Sequence, residues 1–252
     1  PWIQSETIPY YSLQEFFSLA DSSEAEWEHT VSWIDCINSS STKGLFIRGN
    51  LAQVQNQSAP KLKDKTFPFT PPISLVNKIS LPIFNFAYFH KNALKKRNQL
   101  VHYEPFFYPL DSIHAWNKMY GPLGFYQYQS VVPREVGLEA TQEMLKMIKK
   151  FGEGSFLAVL KTFGDRESGG LLSFPRSGVT LALDFPNRGE KTSKLFNELD
   201  HIVHEAQGRL YLAKDARMPK TLFEAGYPRI QEFMKYRDPG ISSNMSRRLL
   251  GV

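Results

Sequence analysis

The alternation of strands and helices between residues 125 and 213 constrains the fold of this chain more than any other feature. Apolar and β-branched runs that are typical of strands occur at residues 125–132, 155–163, 178–185 and 209–213. Apolar side chains at helical spacing lie between them, at residues 135–150 and 191–207. This β-α-β-β-α-β order predicts an α+β fold: an antiparallel sheet with helices on one face, built of split βαβ, or ferredoxin-like, repeats.

The N-terminal part begins with the same kind of pattern. Residues 2–9 have an extended pattern, and Ser12 followed by Glu15 has the spacing of a capping box at a helix start. Residues 26–34 and 44–48 then predict two strands. We therefore expect a further β-α-β-β unit ahead of the first.

A basic segment at about residues 53–104 separates the two parts. Its formal charge is +6, although the whole chain carries only +5, and it contains seven Phe and Tyr residues and several prolines. Its periodicity is poor, so we predict a long loop, of the kind that is usually functional or mobile. The composition fits a solvated loop, an interfacial lid over anionic lipid or a ligand phosphate, or a groove for single-stranded nucleic acid.

Several function classes lack their sequence signatures. No glycine-rich dinucleotide loop, Walker loop, His-Glu-x-x-His or Gly-x-Ser-x-Gly motif occurs. Cys36 is the single cysteine, which excludes an internal disulfide and a cysteine-rich zinc site. His201 and His204 have a spacing that metal ligands use, but a solvated helix face explains them better. We predict no metal site.

Polar side chains interrupt two of the predicted strands. Gln127 and Gln129 share one strand face, and Lys161 continues an apolar stripe that is formed by Leu157, Val159 and Phe163. A lysine at such a position either extends along the strand to solvent or points into a pocket. Together these residues could line a site for a hydroxylated or anionic ligand. Lys214, directly after the predicted strand 209–213, is an ordinary turn residue when taken by itself.

Separated motifs in a fixed order identify a family. They are residues 106–129, SFLAVLKTFG at 155–164, LSFP at 172–175 with LDFP at 183–186, GRLYLAKDAR at 208–217, and Tyr227-Pro-Arg with a final MSRRL at 245–249. Together they resemble the FAD-linked oxidases of the vanillyl-alcohol oxidase superfamily, and within it an oxidase that acts on a polyprenyl-phosphate-linked ribose at its 2′-hydroxyl.

The resemblance implies an organisation as well as a chemistry. Residues 1–212 would be the substrate-binding (cap) domain, and residues 213–252 would return to an FAD-binding domain that is not in this chain. FAD would be bound mainly by that other domain, so this chain alone is expected to be inactive. Enzymes of the superfamily pass a hydride from a carbinol carbon to the flavin while the hydroxyl loses its proton.

The resemblance also assigns site residues position by position. Gln127 and Gln129 match glutamines beside the sugar and the flavin, and Lys161 matches a lysine that binds hydroxyl or phosphate oxygens. Lys214 matches the lysine near the flavin and the reacting hydroxyl, where a positive charge stabilises developing negative charge. Gln129 and Lys214 are thus the expected catalytic residues, and both would contact the cofactor together with Tyr211.

The remaining assignments concern the pocket wall. Trp116, Leu157, Val159 and Phe163 match wall positions. Phe107 stands where the family subunit has a tyrosine, and Thr180 and Ala182 stand where it has asparagine and cysteine. These departures leave the identity of the substrate open.

We therefore expect an FAD-dependent sugar oxidoreductase, cytoplasmic, with peripheral membrane contact through the basic segment and with a reductase partner if the reaction is half of an epimerisation. The alternatives are an aldonolactone or alditol oxidase with a soluble substrate, and a flavin-free ferredoxin-like module that binds RNA or anionic lipid. The oxidase reading predicts no specific nucleic-acid binding, whereas the binding module predicts salt-sensitive binding.

Overall fold

The strands of both halves of the chain join in one antiparallel sheet. The computed structural model describes residues 2–37, 42–54, 65–95 and 97–252. The strands along this described chain are β1 (Trp2–Tyr10), β2 (His29–Ile34), β3 (Gly44–Ala52), β4 (Lys65–Thr66), β5 (Asn98–His102), β6 (Ile113–His114), β7 (Phe125–Val132), β8 (Ala158–Phe163), β9 (Gly178–Pro186) and β10 (Arg209–Leu210). Strands β4 and β6 pair with each other in parallel, and the others form the main sheet.

The order of the main sheet reveals two split βαβ repeats side by side. It runs β10-β7-β9-β8-β2-β3-β1-β5, and each of its pairings is antiparallel. Numbered within its own half, each set of four strands has the order fourth, first, third, second, which is that of a ferredoxin-like repeat. The short β2–β8 pairing joins the repeats through Ser32 opposite Leu160 and Trp33 opposite Val159. The predicted α+β class with split βαβ repeats is confirmed.

Three helices cover one face of this sheet. Along the described chain the helices are α1 (Leu13–Ser23), α2 (Ser80–Ala93), α3 (Tyr103–Phe107), α4 (Gly137–Phe151), α5 (Glu190–Glu205), α6 (Lys220–Gly226), α7 (Ile230–Met234) and α8 (Asn244–Leu250). Apolar residues of α1, α4 and α5, among them Phe16, Met144 and Leu195, are buried against Phe46 and Leu181 of the sheet. Burial of these side chains is the main source of the stability of the fold.

The ends of the helices follow local chemistry. Ser12 accepts a hydrogen bond from the Glu15 N–H at 3.1 Å, as the capping-box spacing predicts. The residue that takes the left-handed conformation after α5 is Gln207, with φ 53°, and not the glycine that follows it. Gly208 serves a different need: a Cβ there would lie 2.6 Å from the carbonyl oxygen of Val131, so only glycine allows β10 to approach β7 this closely.

The basic segment differs from the predicted loop, because α2 and β5 lie within it. Helix α2 packs on the second sheet face, where Phe89 is buried against Trp33 and Leu45. Ile83 and Phe86 on its opposite side are exposed, so apolar residues surround the helix and no amphipathic period marks it in the sequence. The residues of this segment that lie outside the described part of the chain include Pro60, Lys61, Lys63, Asp64 and Lys96.

The C-terminal segment shares the main core in this structure. Leu222, Phe223 and Tyr227 of the α6 region and Leu249 of α8 belong to the same buried cluster as the sheet and α5. The predicted division at residue 212, with a following segment that meets a further domain, stays a prediction. Among the described helices, each is too short or too polar to cross a bilayer.

Candidate functional site

The second face of the sheet carries polar side chains across β7, β9 and β8. The buried strand residues Tyr128, Leu160 and Leu183 face α4 and α5, and the residues that alternate with them point to the opposite side. The sequence prediction treats Lys161 as part of an apolar stripe. In the structure the buried stripe of β8 is the alternate one, Ala158 and Leu160, whereas Val159, Lys161 and Phe163 are half-buried on the second face.

The strand register brings the predicted ligand-binding residues next to one another. Gln129 lies opposite Ala182, which lies opposite Val159 on the next strand. Lys161 lies opposite Thr180. Since directly opposed residues of antiparallel strands share a face, these five side chains form one continuous patch with Gln127, Asp184 and Phe163, which alternate with the buried residues in the same way; we call this patch the polar face.

Both glutamines donate hydrogen bonds to neighbours on this face. Gln127 Nε2 lies 3.0 Å from Asp184 Oδ1, and Gln129 Nε2 lies 3.1 Å from Thr180 Oγ1. The amide carbonyl oxygens of both glutamines are thereby left as acceptors for a ligand.

Lys161 and Lys214 supply the positive charge of the polar face. Burial lowers the pKa of Lys161, and the neighbouring charge of Lys214 lowers it further. The ammonium of Lys161 also lies 5.3 Å from the centre of the Phe163 ring. Within the described residues neither lysine makes an ion pair with a carboxylate, so a bound anion or an oxygen-rich ligand would relieve their repulsion.

Lys214 reaches the site from a turn. The prediction of a strand at residues 209–213 is wrong beyond Leu210, because the chain bends into a 3-10 turn over Leu212–Lys214. Tyr211 precedes the turn, and its N–H donates to the carbonyl oxygen of Gln129 at 2.9 Å. This bond fixes the turn against β7 and places Lys214 beside the polar face.

Tyr211 and two of the predicted wall residues, Phe163 and Trp116, make contacts between aromatic rings around the polar face. The Tyr211 ring stacks on Phe174 with centroids 4.6 Å apart, and Phe174 in turn contacts Phe163. Trp116 packs on Phe125 at the start of β7, with centroids 5.3 Å apart. Of the predicted wall residues, Phe163 and Val159 thus belong to the polar face, and Trp116 lies at its edge.

Two predicted wall residues lie outside the paired strand segments of the polar face. Leu157 precedes β8, and its N–H donates to the hydroxyl of Ser155 at 3.0 Å. Phe107 packs edge-on against His29 of β2, the strand next to β8, with centroids 4.9 Å apart. The contacts of Phe107 place it beside the first repeat rather than among the glutamines and lysines.

Asp184 is the member of the site that the sequence interpretation missed. It is 6% exposed, and it lies opposite Gln127 in the register of β7 and β9. Burial raises the pKa of its carboxyl to about 6, against the lowering effects of the Gln127 hydrogen bond and the charge of Lys214. The sequence pattern could have revealed this residue, because Asp184 follows Thr180 and Ala182 at every second position of an apolar strand and therefore shares their face.

Metal ligation finds no support among the residues that the structure describes. No group of three or more histidine, cysteine or acidic side chains comes together in these parts of the chain. His201 lies 3.2 Å from Glu205 on the exposed side of α5.

The buried Asp184 makes the stability of the chain depend on pH. Because its pKa is higher in the folded than in the unfolded chain, the folded form binds the proton more tightly, and the free energy of unfolding falls as pH rises from about 4 to about 6. We expect Asp184→Asn to remove this contribution, which is about 3 kcal/mol when the pKa rises from its usual 3.8 to about 6. In thermal melts, the melting temperature of the variant should rise relative to that of the wild type as pH increases from 4 to 8.

The matched control for this prediction is Asp165→Asn, since Asp165 is exposed in the turn after β8. Its melting temperature should follow that of the wild type at each pH. An equal shift of Asp184→Asn at acidic and alkaline pH would contradict the assignment.

Comparisons with known proteins provide independent evidence on ancestry. No family model matches the chain. The chain is 35% identical over 97% of its length to decaprenylphosphoryl-beta-D-ribose oxidase of Mycolicibacterium smegmatis, and this match covers 54% of that protein. It is also 34% identical, over 44% of its length and 31% of the relative, to an uncharacterized protein in the mprA 5′ region of Streptomyces coelicolor.

Solved structures give weaker likenesses. FgChi7B matches with a TM-score of 0.45 at 8% identity, over 94% of this chain and 53% of that one. Berberine bridge enzyme from Eschscholzia californica matches with a TM-score of 0.40 at 12% identity, over 81% of this chain and 40% of that one. TM-scores this low carry no conclusion about function.

The sequence match extends over almost the whole chain, yet the chain spans only about half the length of the curated relative. It includes the motifs that predicted the family from the sequence. The predicted resemblance is thus confirmed: this chain is related to decaprenylphosphoryl-beta-D-ribose oxidase over a segment that corresponds to about half of that oxidase.

Proposed function

We propose that this chain is the substrate-binding part of an FAD-dependent oxidoreductase that oxidises a secondary hydroxyl of a sugar. The observation that carries the proposal is the polar face, where Gln127, Gln129 and Lys161 lie together and Lys214 is held beside them. These are the four polar positions that the resemblance assigns to the sugar and the flavin. The relative whose name includes an oxidised sugar supports the same substrate class.

The chain's own residues have distinct roles in this proposal. The amide oxygens of Gln127 and Gln129 accept hydrogen bonds from sugar hydroxyls, since their amide nitrogens are engaged by Asp184 and Thr180. Lys214 stabilises the negative charge that develops on the reacting oxygen as its proton leaves. Lys161 binds a further hydroxyl or phosphate oxygen.

The residues present also fit a flavin. Two ammonium groups without an acidic ion-pair partner among the described residues favour a group that becomes anionic, and Tyr211 adds an aromatic surface beside them. When bound, the flavin would accept the hydride from the carbinol carbon. Gln129, Tyr211 and Lys214 would hold it on this side, while a part of the protein outside this chain would bind most of the FAD.

A lipid-linked substrate is the finer form of the proposal, and α2 supports it. Ile79, Ile83 and Phe86 are 61–76% exposed, and they follow one another along the outer side of the helix. Lys91 and Lys95 are exposed at its C-terminal end. An apolar stripe that ends in lysines suits the boundary of an anionic bilayer, where a polyprenyl chain would remain while its sugar enters the site.

Vesicle binding tests this part of the proposal. Ile83→Ser with Phe86→Ser should weaken co-sedimentation with phosphatidylglycerol vesicles by about tenfold, and Lys91→Ala with Lys95→Ala should weaken it by a similar factor at low salt. Two further basic residues, Lys96 and Arg97, follow in the sequence and are not substituted; Lys96 lies outside the described residues. Arg97 is left unchanged because its Nε lies 2.5 Å from Glu6 Oε1, so its removal would leave this buried carboxylate with Arg48 alone as its ion-pair partner.

Lys149→Ala with Lys150→Ala is the matched control, because both lysines are exposed at the end of α4, on the other side of the sheet. This control should bind vesicles like the wild type. Equal binding by all variants would contradict the role of α2 and favour a soluble substrate, as in an aldonolactone or alditol oxidase.

A visible spectrum of the protein from the complete reading frame that contains this chain tests the main proposal. We expect a flavin band that bleaches when a ribofuranoside or polyol is added. The ketone formed would require a separate reductase if the overall reaction is an epimerisation. A colourless protein that binds RNA in a salt-sensitive manner would overturn the oxidase and favour the ferredoxin-like binding module.

A further inference from the structure

Asp184 occupies an unusual place on the polar face. It is a carboxylate that is 6% exposed, on a strand whose alternate residues Leu181, Leu183 and Phe185 form the core. Its backbone N–H donates to the Ser155 hydroxyl at 3.2 Å, which fixes the backbone of β9 at this point. A buried carboxylate costs stability unless it is compensated, so its presence here needs an explanation.

The groups that face Asp184 come from three elements. Gln127 of β7 donates to its Oδ1 at 3.0 Å. Lys214, from the turn after β10, attracts its negative charge. The Tyr120 hydroxyl comes from the 3-10 turn Trp116–Tyr120. Burial raises the pKa of that tyrosine and the nearby Asp184 charge raises it further, and the hydroxyl has no hydrogen-bond partner among the described residues.

An ionised carboxylate determines which end of the Gln127 amide faces it. A carboxylate only accepts hydrogen bonds, so Gln127 must present its Nε2 to Asp184 and its Oε1 elsewhere. A glutamine without such a neighbour can present either atom, and it would then suit a donor or an acceptor equally. The hydrogen bond to Asp184 therefore fixes the orientation of the Gln127 amide, so that its oxygen is the atom that can accept a hydrogen bond from a ligand.

We propose that Asp184 is a positioning residue, which holds the Gln127 amide with its oxygen toward the ligand and so selects a substrate that donates a hydroxyl hydrogen there. The inference deepens the proposed function and rests on it for the identity of the ligand. Gln129 also directs its Nε2 to a neighbour, the Thr180 hydroxyl, but a hydroxyl can donate as well as accept, so the orientation is fixed for Gln127 alone. The polar face thus offers acceptors from its glutamines and donors from its lysines, a combination that a sugar hydroxyl can satisfy on both sides.

The positioning depends on the ionisation of Asp184. Its pKa is raised to about 6, so at lower pH the carboxyl is protonated and can donate to the Gln127 oxygen instead. The amide then reverses, and its nitrogen faces the ligand. Lys214 and Tyr120 are the other titratable groups that face Asp184. Burial and the Asp184 charge raise the pKa of Tyr120, so the step near pH 6 is assigned to Asp184.

The test uses the complete protein labelled with [15N-amide]glutamine and needs neither substrate nor flavin turnover. The side-chain amide signal of Gln127, identified by its loss in Gln127→Leu, should shift with a midpoint near pH 6. In Asp184→Asn the same signal should stay constant through that range, since the carboxamide does not titrate. A wild-type signal that does not move, or one that still moves in Asp184→Asn, would overturn the proposal.

A second measurement links the orientation to the ligand. D-arabinitol, whose polar groups are all hydroxyls, is titrated against the same signal. Above pH 7 its dissociation constant should be about fivefold higher for Asp184→Asn than for the wild type, because the Gln127 oxygen is no longer held toward the ligand and the loss of one hydrogen bond between neutral groups has an effect of this size. Equal constants would reject the selective role. A protein without flavin whose Gln127 signal still titrates would instead reject only the proposed oxidase function.

Discussion

Replacement of Lys214 by alanine is expected to slow the reduction of bound flavin by substrate at least about a hundredfold, because the variant lacks the charge that stabilises the developing oxyanion. Lys214 stands in a turn that is fixed to β7 through Tyr211, so the side chain can be removed without disturbing the sheet. Stopped-flow absorbance of the flavin band, in the protein from the complete reading frame, measures this rate. The flavin should remain bound.

The control for Lys214 is Lys220→Ala. Lys220 lies on α6 only six positions farther along the chain, but its ammonium is half-exposed and pairs with Glu224 at 3.7 Å. This variant should reduce flavin at the wild-type rate. Reduction at that rate by Lys214→Ala, with flavin bound, would remove Lys214 from the reacting group and leave Lys161 as the remaining cation of the polar face.

Replacement of Gly178 by alanine is expected to cost about 3 kcal/mol of folding free energy or more, because the position tolerates no side chain. Gly178 begins β9 with φ 152°, a conformation that residues with a Cβ rarely adopt. An added Cβ would also lie 2.1 Å from the carbonyl oxygen of Val132, so the pairing of β9 with β7 would have to open. Urea unfolding followed by circular dichroism measures the loss.

Gly169→Ala provides the comparison, since nothing lies within 4 Å of a Cβ built at that position and its φ is not positive. Its unfolding midpoint should stay close to that of the wild type. If Gly178→Ala were equally harmless, the register that places Thr180 beside Lys161 would be in error, and the polar face with it.

The strands and helices with a clear period are predictable from the sequence. Strand β7 has the predicted bounds, and α4 and α5 differ from prediction by one or two residues at their ends. The shared face of Gln127, Gln129 and Lys161 follows from the alternation of side chains along a strand. These features depend on neighbours within a few positions, which a single sequence displays.

The features that were not predicted depend on distant partners. Helix α2 has apolar residues on both sides, and only its contact with Trp33 and Leu45 distinguishes the inner one. Residues 211–213 have strand-like side chains, yet the chain turns over Leu212–Lys214, and Asp215 at the end of the turn pairs with Arg248, 33 residues farther along. Asp184 becomes part of the site through Gln127, which is 57 residues away, so its role appears only once the strands are paired.

The two repeats of the sheet use equivalent surfaces for different purposes. In the first repeat, α2 fills the second face with the chain's own rings, and Phe89 is buried there on Trp33 and Leu45. In the second repeat that surface carries the glutamines and lysines. The second face is thus packed with aromatic side chains in the first repeat, whereas in the second repeat it presents polar ones. Substitutions where α2 packs on the first repeat can therefore change the surroundings of the polar face without touching the groups that would bind the sugar.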